Sequence, residues 1–137
     1  MQTNTKRVPR GIRNNNPLNI RIGNNWIGER MEQTDPEFEQ FKELKYGLRA
    51  GFIILNNYMK KYGRHTIARI IFAWAPESEN NTKAYIKSVC DYVGKKPTDY
   101  ISFGDEDTMV RLVLAMAHVE CGVWLDEYDV RKAYWMA

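Results

Sequence analysis

The chain has 137 residues, 44% of them hydrophobic and 27% charged, which is the size and mix of one globular domain around one core. Wholesale disorder and a second ordinary domain are excluded. Its 20 basic and 17 acidic side chains leave a net charge of +3, too balanced for an obligate nucleic-acid binder and suited to an anionic polymer as partner.

No apolar run approaches the about 20 residues of a membrane span, and no apolar segment follows the basic residues at the N-terminus. Neither a spanning helix nor a secretory signal is expected. A target outside the cytoplasm then has to be reached by cell lysis, in a virion or through a secretion machine.

In chain order, residues 1–10 read as a flexible arm and residues 11–137 as the domain. Residues 11–45 are rich in turn chemistry: Asn14-Asn15-Asn16-Pro17, Gly23-Asn24-Asn25 and Asp35-Pro36. Between these turns Leu18-Asn19-Ile20-Arg21-Ile22 alternates apolar and polar residues, and Trp26-Ile27-Gly28-Glu29 does so more weakly. This pattern predicts a small β-hairpin across Gly23-Asn24-Asn25. Phe38, Phe41, Gly47 and Ala50 read as packing and turn positions.

After Gly47 the pattern turns helical. Leu48, Phe52, Leu55, Met59 and Tyr62 recur at three- and four-residue steps, and Gly63 ends the stripe. Thr66 can cap a second helix through Ile67, Ile70, Ile71 and Trp74, ending near Ala75-Pro76. Asn80 or Asn81 can cap a third, carrying Tyr85, Ile86, Val89 and Val93 and ending at Gly94. Pro97 opens a short helix to about Phe103, Asp105 or Asp107 caps another, and a last one covers Asp126 to Met136. The expected fold is a single, mainly α domain with a small N-terminal β-hairpin.

Cys90 and Cys121 have no metal-site spacing and read as free, half-buried thiols on helices. His65 and His118 are far apart, so neither a zinc site nor a cofactor is expected.

Glu120 is the most informative residue. Ala117, Met116, Val113, Val110 and Met109 precede it at helical spacing, so it falls on the core-facing stripe of its helix, at the C-terminal end before Cys121-Gly122. Carboxylates are almost never buried without a partner. The partial negative charge of a helix C-terminus also opposes the anion. Both effects favour the protonated acid, which is what general-acid catalysis on a glycosidic oxygen needs. The plainer readings are that Glu120 emerges into water or pairs with an Arg. His118 falls on another face and reads as a surface or satisfied histidine.

Three segments carry a family likeness. Arg10-Gly11-Ile12-Arg13-Asn14-Asn15-Asn16-Pro17-Leu18-Asn19-Ile20-Arg21, followed by Trp26-Ile27-Gly28, resembles the RNNNPxNIR…WxG opening of phage-type lysozyme-like proteins, a group of virion structural proteins and muramidases. It is also similar to the NNLFGIK segment of bacterial glucosaminidases. Trp74-Ala75-Pro76 with Glu79-Asn80-Asn81-Thr82-Lys83-Ala84-Tyr85-Ile86-Lys87-Ser88-Val89 resembles WAPxxENxTxxYIxxV of the same phage group, and its tail looks like the TxxYVxxV of lytic transglycosylases. Ala115-Met116-Ala117-His118-Val119-Glu120-Cys121-Gly122 is similar to the helix end that carries the catalytic acid in that superfamily, with Cys121 where a small or polar residue is usual. The Asn-rich segment precedes the Glu helix here, the reverse of the usual order, which a circular permutation would explain.

The resemblance implies an α+β lysozyme-like fold acting on a peptidoglycan glycan strand. It implies Glu120 as catalytic acid; Glu29 is the competing acid, and Asp35, Glu37, Glu77 and Glu79 are lesser candidates, most of which read as solvated. Asn14, Asn15, Asn16, Asn19 and Asn81 offer the paired donors and acceptors that sugar hydroxyls and N-acetyl groups need, although Asn also braces turns. Arg21 suits a lactyl carboxylate or a protein carboxylate, and Trp26 and Trp74 suit sugar faces or the core. Tyr85 is implied to stand near the catalytic Glu.

One well-argued carboxyl suits a lytic transglycosylase, since ordinary glycosidase schemes use two. A muramidase, a peptide-bridge endopeptidase and a non-catalytic phage structural or wall-binding module are the alternatives. Nucleic-acid binding through Lys6, Arg7, Arg10 and Arg13 is disfavoured, because the basic residues do not continue along a helix. A Cys121 nucleophile with His65 or His118 lacks an orienting third group. A monomer is expected.

Overall fold

The structure, a computed structural model, describes residues 8–137. Most of the expected arm at residues 1–10 lies outside the described residues, and its last residue already opens the first helix. Six helices follow one another: α1 (Arg10–Arg13), α2 (Leu44–Tyr62), α3 (Ile67–Trp74), α4 (Thr82–Val93), α5 (Glu106–Cys121) and α6 (Glu127–Met136). No helix among them is long and apolar enough to cross a membrane.

Local chemistry sets most of the boundaries. The side chains of Thr66, Asn81, Asp105 and Asp126 each accept a backbone N–H from the first turn of the helix they precede. Gly63, Gly94 and Gly122 end α2, α4 and α5 in the left-handed region. At the end of α2, Gly63 N–H bonds to Met59 O and Arg64 N–H to Tyr58 O, which satisfies carbonyls the helix leaves open.

Helix α5 is buried almost all round, from Met109 and Val110 through Leu112 to Ala117. That makes it the central element of the core, and α1, α2, α4 and α6 pack against it. The apolar stripe of α2, Leu48, Phe52, Leu55 and Met59, faces this core and is buried. Phe52 meets Tyr134 of α6 edge-on at 5.4 Å between ring centroids.

Three expectations are corrected. The β-hairpin of an α+β fold does not form: among the described residues there is no strand, only the isolated antiparallel bridges Arg21 to Phe38 and Glu29 to Phe41. The alternation at 18–22 does bury Leu18 and Ile20. Asn19 between them, however, has a φ of 52°, which no strand accommodates, and Ile22 is 49% exposed. The helix expected at Pro97–Phe103 is also absent. There Asp99 accepts the Lys96 N–H, and the segment ties back through Ala68 N–H to Pro97 O and Ile101 N–H to His65 O. Finally, α2 begins at Leu44, ahead of Gly47.

Side chains do the work of a sheet in residues 14–43. Asn16 is fully buried; its Nδ2 donates to Ile20 O and Glu39 O, and its Oδ1 accepts from Ile20 N–H. Asn14 donates to Asp35 and accepts from Gln40, while Asn15, at a φ of 53°, donates to Phe41 O. Arg10 grips Asp35 through two bonds of 2.6 Å, and Asp35 also accepts the N–H groups of Glu37 and Phe38.

The Arg10 guanidinium holds the Asp35 carboxyl well below the usual carboxylate range. A depressed folded-state pKa stabilises the fold above the unfolded value and loses that contribution as pH falls through the folded one. Asp35→Asn is therefore expected to cost about 1–3 kcal/mol at pH 7. In urea titrations the gap to wild type should begin to narrow below about pH 4 and close only as pH falls further, through the depressed folded-state value.

Candidate functional site

The end of α5 meets the braced N-terminal segment at one open cleft of about 360 Å³. Asn19, Arg21, Trp74 and Glu120 line it, with Phe38, Ile54 and Tyr58. The Glu120 carboxyl is bound at both oxygens by neutral donors. Asn19 Nδ2 donates to Oε1 at 3.0 Å, and the Tyr85 hydroxyl donates to Oε2 at 2.9 Å. Trp74 lines the cleft beside the same carboxyl. Tyr85 is itself buried, on the α4 face that packs against α5.

Burial raises the Glu120 pKa, against the bonds from Asn19 and Tyr85, the nearby Trp74 ring and the positive charge of Arg21, all of which lower it. The result is a half-buried acid, inclined to keep its proton, at the wall of a cleft. Arg21 is exposed and lies 3.5 Å from Glu79 and 3.8 Å from Glu37. Trp74 stands edge-on to Tyr58 at 6.1 Å.

The other candidate residues lie elsewhere. Asn14, Asn15 and Asn16 are used as braces of the loop, and Asn14 and Asn16 are too buried to meet a ligand. Asn81 is the exposed N-cap of α4, outside the cleft. Trp26 packs against the core and does not line the cleft. Glu29 lines a different cavity beside Glu39, whose carboxyl is pushed up to about 7 by burial and by Glu29.

His118 stacks on Trp124 at 4.1 Å, and His65 on Tyr100 at 4.7 Å. Both thiols are free and buried. Burial pushes Cys121 up to about 11, which suits an inert thiol rather than a nucleophile. Its Sγ lies 3.3 Å from the carbonyl of Pro17.

Sequence patterning missed the aromatic and aliphatic side of the cleft. Ile54 and Tyr58 are one helical turn apart on α2, off its buried stripe, and this spacing was the available signal. Phe38 was a packing position by pattern; it lies in the cleft with the guanidinium of Arg21 5.1 Å above its ring.

The fold and site together define a small helical domain with a half-buried acid at a helix end, opening on a polar and aromatic cleft. No family model matches the chain. It is 39% identical over 137 residues to Protein P5 of Pseudoalteromonas phage PM2, a match that takes in 96% of this chain and 84% of that protein. The chain belongs to the family of that phage protein.

Proposed function

We propose that this protein cleaves the peptidoglycan glycan strand at the bond between N-acetylmuramic acid and N-acetylglucosamine, with Glu120 as general acid and then base. The observation that carries this reading is the Glu120 carboxyl: half-buried, held at both oxygens by Asn19 and Tyr85, and turned to a cleft lined by polar and aromatic side chains. Protonated Glu120 gives its proton to the leaving glycosidic oxygen as the bond to C1 of the muramyl ring breaks. The carboxylate then takes the proton of the muramyl 6-hydroxyl as that oxygen bonds to C1, closing a 1,6-anhydro ring.

A hydrolase would draw on a second carboxylate. Glu79 lines the same cleft but faces Arg21, which supports the single-acid, transglycosylase form. The phage relative supports a route to the wall by lysis or in a virion.

Mass spectrometry of purified peptidoglycan after digestion tests the reading. Fragments ending in 1,6-anhydromuramic acid are expected. New reducing ends would mean a muramidase, cut peptides an endopeptidase, and bound but intact peptidoglycan a wall-binding module. Tyr85→Phe removes a donor that favours the Glu120 anion. Turnover is expected to fall by about tenfold or more, with the alkaline limb of the pH–rate profile moved upward.

A further inference from the structure

A second cavity, of about 430 Å³, lies on the other side of the turn at residues 22–25. Asn24 lines both it and the cleft. Its two charged side chains are Glu29 and Glu39, and no basic side chain lines it. The bridge of Glu29 to Phe41 explains the pairing: Glu39, two residues from Phe41, points to the same face as Glu29.

Glu39 is only 2% exposed, and its Oε2 has no hydrogen-bond partner among the described residues. The neighbouring arginines are engaged elsewhere. Arg30 donates to Phe41 O and Arg13 O, and Arg21 faces Glu37 and Glu79. The backbone N–H groups of Gly23 and Asn24 face the Glu39 carboxyl, yet two adjacent carboxylates, one of them buried, still repel, and a shared proton or a cation between them relieves that cost.

We infer that Glu29 and Glu39 bind a divalent cation, calcium before magnesium. The donors are all hard oxygens: the two carboxylates, the side-chain amides of Asn24 and Asn25 at the rim, and water. No His or Cys lines the cavity, so a softer metal finds no ligand. No group of three or more His, Cys, Asp or Glu gathers among the described residues, so neutral oxygens must complete the shell. Calcium accepts such a mixed, irregular set of six to eight ligands, whereas magnesium demands a near-ideal octahedron. Bound there, the ion ties the turn at 22–25 to the segment at 33–39 and so fixes Asn24 at the cleft. The inference stands on this cavity alone and does not depend on the catalytic reading.

Calorimetric titration of the full chain with CaCl2 and with MgCl2 at pH 8, paired with thermal unfolding, tests it. Calcium is expected to bind with a Kd on the order of 10⁻⁴ M and to raise Tm, and magnesium to bind more weakly. Glu39→Gln and Glu29→Gln are each expected to weaken calcium at least about tenfold, while Glu32→Gln, at an exposed position outside the cavity, leaves it unchanged. Glu29 is only half-buried, so its variant decides the matter if Glu39→Gln fails to fold. Absence of heat and of any Tm shift with both salts would overturn the inference in favour of a shared proton. Undiminished calcium binding by Glu29→Gln and any folded Glu39→Gln would overturn it equally.

Discussion

Glu120→Gln is expected to lower peptidoglycan cleavage by about 10²–10⁴-fold, the usual contribution of a positioned general acid. The amide keeps the shape of the side chain and can still meet Asn19 and Tyr85, so geometry survives while the transferable proton is lost. The loss should not come from unfolding. Burial raises the folded-state pKa of Glu120 above its unfolded value, so the native state binds the proton more tightly. Stability linked to this group is therefore full at low pH and falls as pH rises through the raised pKa. Gln carries no such charge. The variant should match wild type in Tm at acid pH and equal or exceed it at pH 8, while activity is gone throughout. A variant that retains cleavage would remove Glu120 from the mechanism and leave the fold description untouched.

Gly47→Ala is expected to be among the most destabilising single substitutions, at about 3 kcal/mol or more. A Cβ at Gly47 would be driven into the backbone carbonyl oxygen of Asn15, with Asn15 C at 3.0 Å and Asn16 Cα at 3.3 Å. Neither side has a flexible side chain to move aside. Asn15 is held by its own bond to Phe41 O, and Gly47 lies inside α2. The substitution therefore forces apart the two bodies that build the cleft, α2 and the Asn-rich loop. Against a total stability of about 5–15 kcal/mol, this is a large fraction. Gly104→Ala is the control: a Cβ there meets nothing within 4 Å, so chemical denaturation should show little change. Equal midpoints for the two variants would mean that the loop is free to shift away from α2.

What could be read from the residues was what local chemistry decides. Thr66 caps its helix as its position suggested, Asn81 and Asp105 were each one of two cap candidates, and Asp126, read as the first residue of the last helix, caps it instead, all through bonds to neighbours two or three residues away. Glu120 stood out because one acid closes an otherwise apolar stripe. Residues 14–43 were opaque for the opposite reason. Their order comes from bonds such as Gln40 to Asn14 and Arg10 to Asp35, 26 and 25 residues apart, which no periodicity announces. The hairpin expectation followed a genuine alternation at Leu18 and Ile20, and the left-handed Asn19 overrode it. The same turn of backbone carries the Asn19 side chain to Glu120. Phe38 and Tyr58 were hidden because an aromatic facing a cleft and one facing a core look alike in a sequence.

The bond between Asn19 and Glu120 joins residues 101 positions apart. During synthesis the acid emerges from the ribosome long after its partner. Until α5 docks, neither its desolvation nor the cleft wall exists. A chain shortened before Glu120 would be a complete loop with no acid, and a chain missing the loop an acid with no holder. The setting of the Glu120 carboxyl is thus assembled only once the domain has closed on itself.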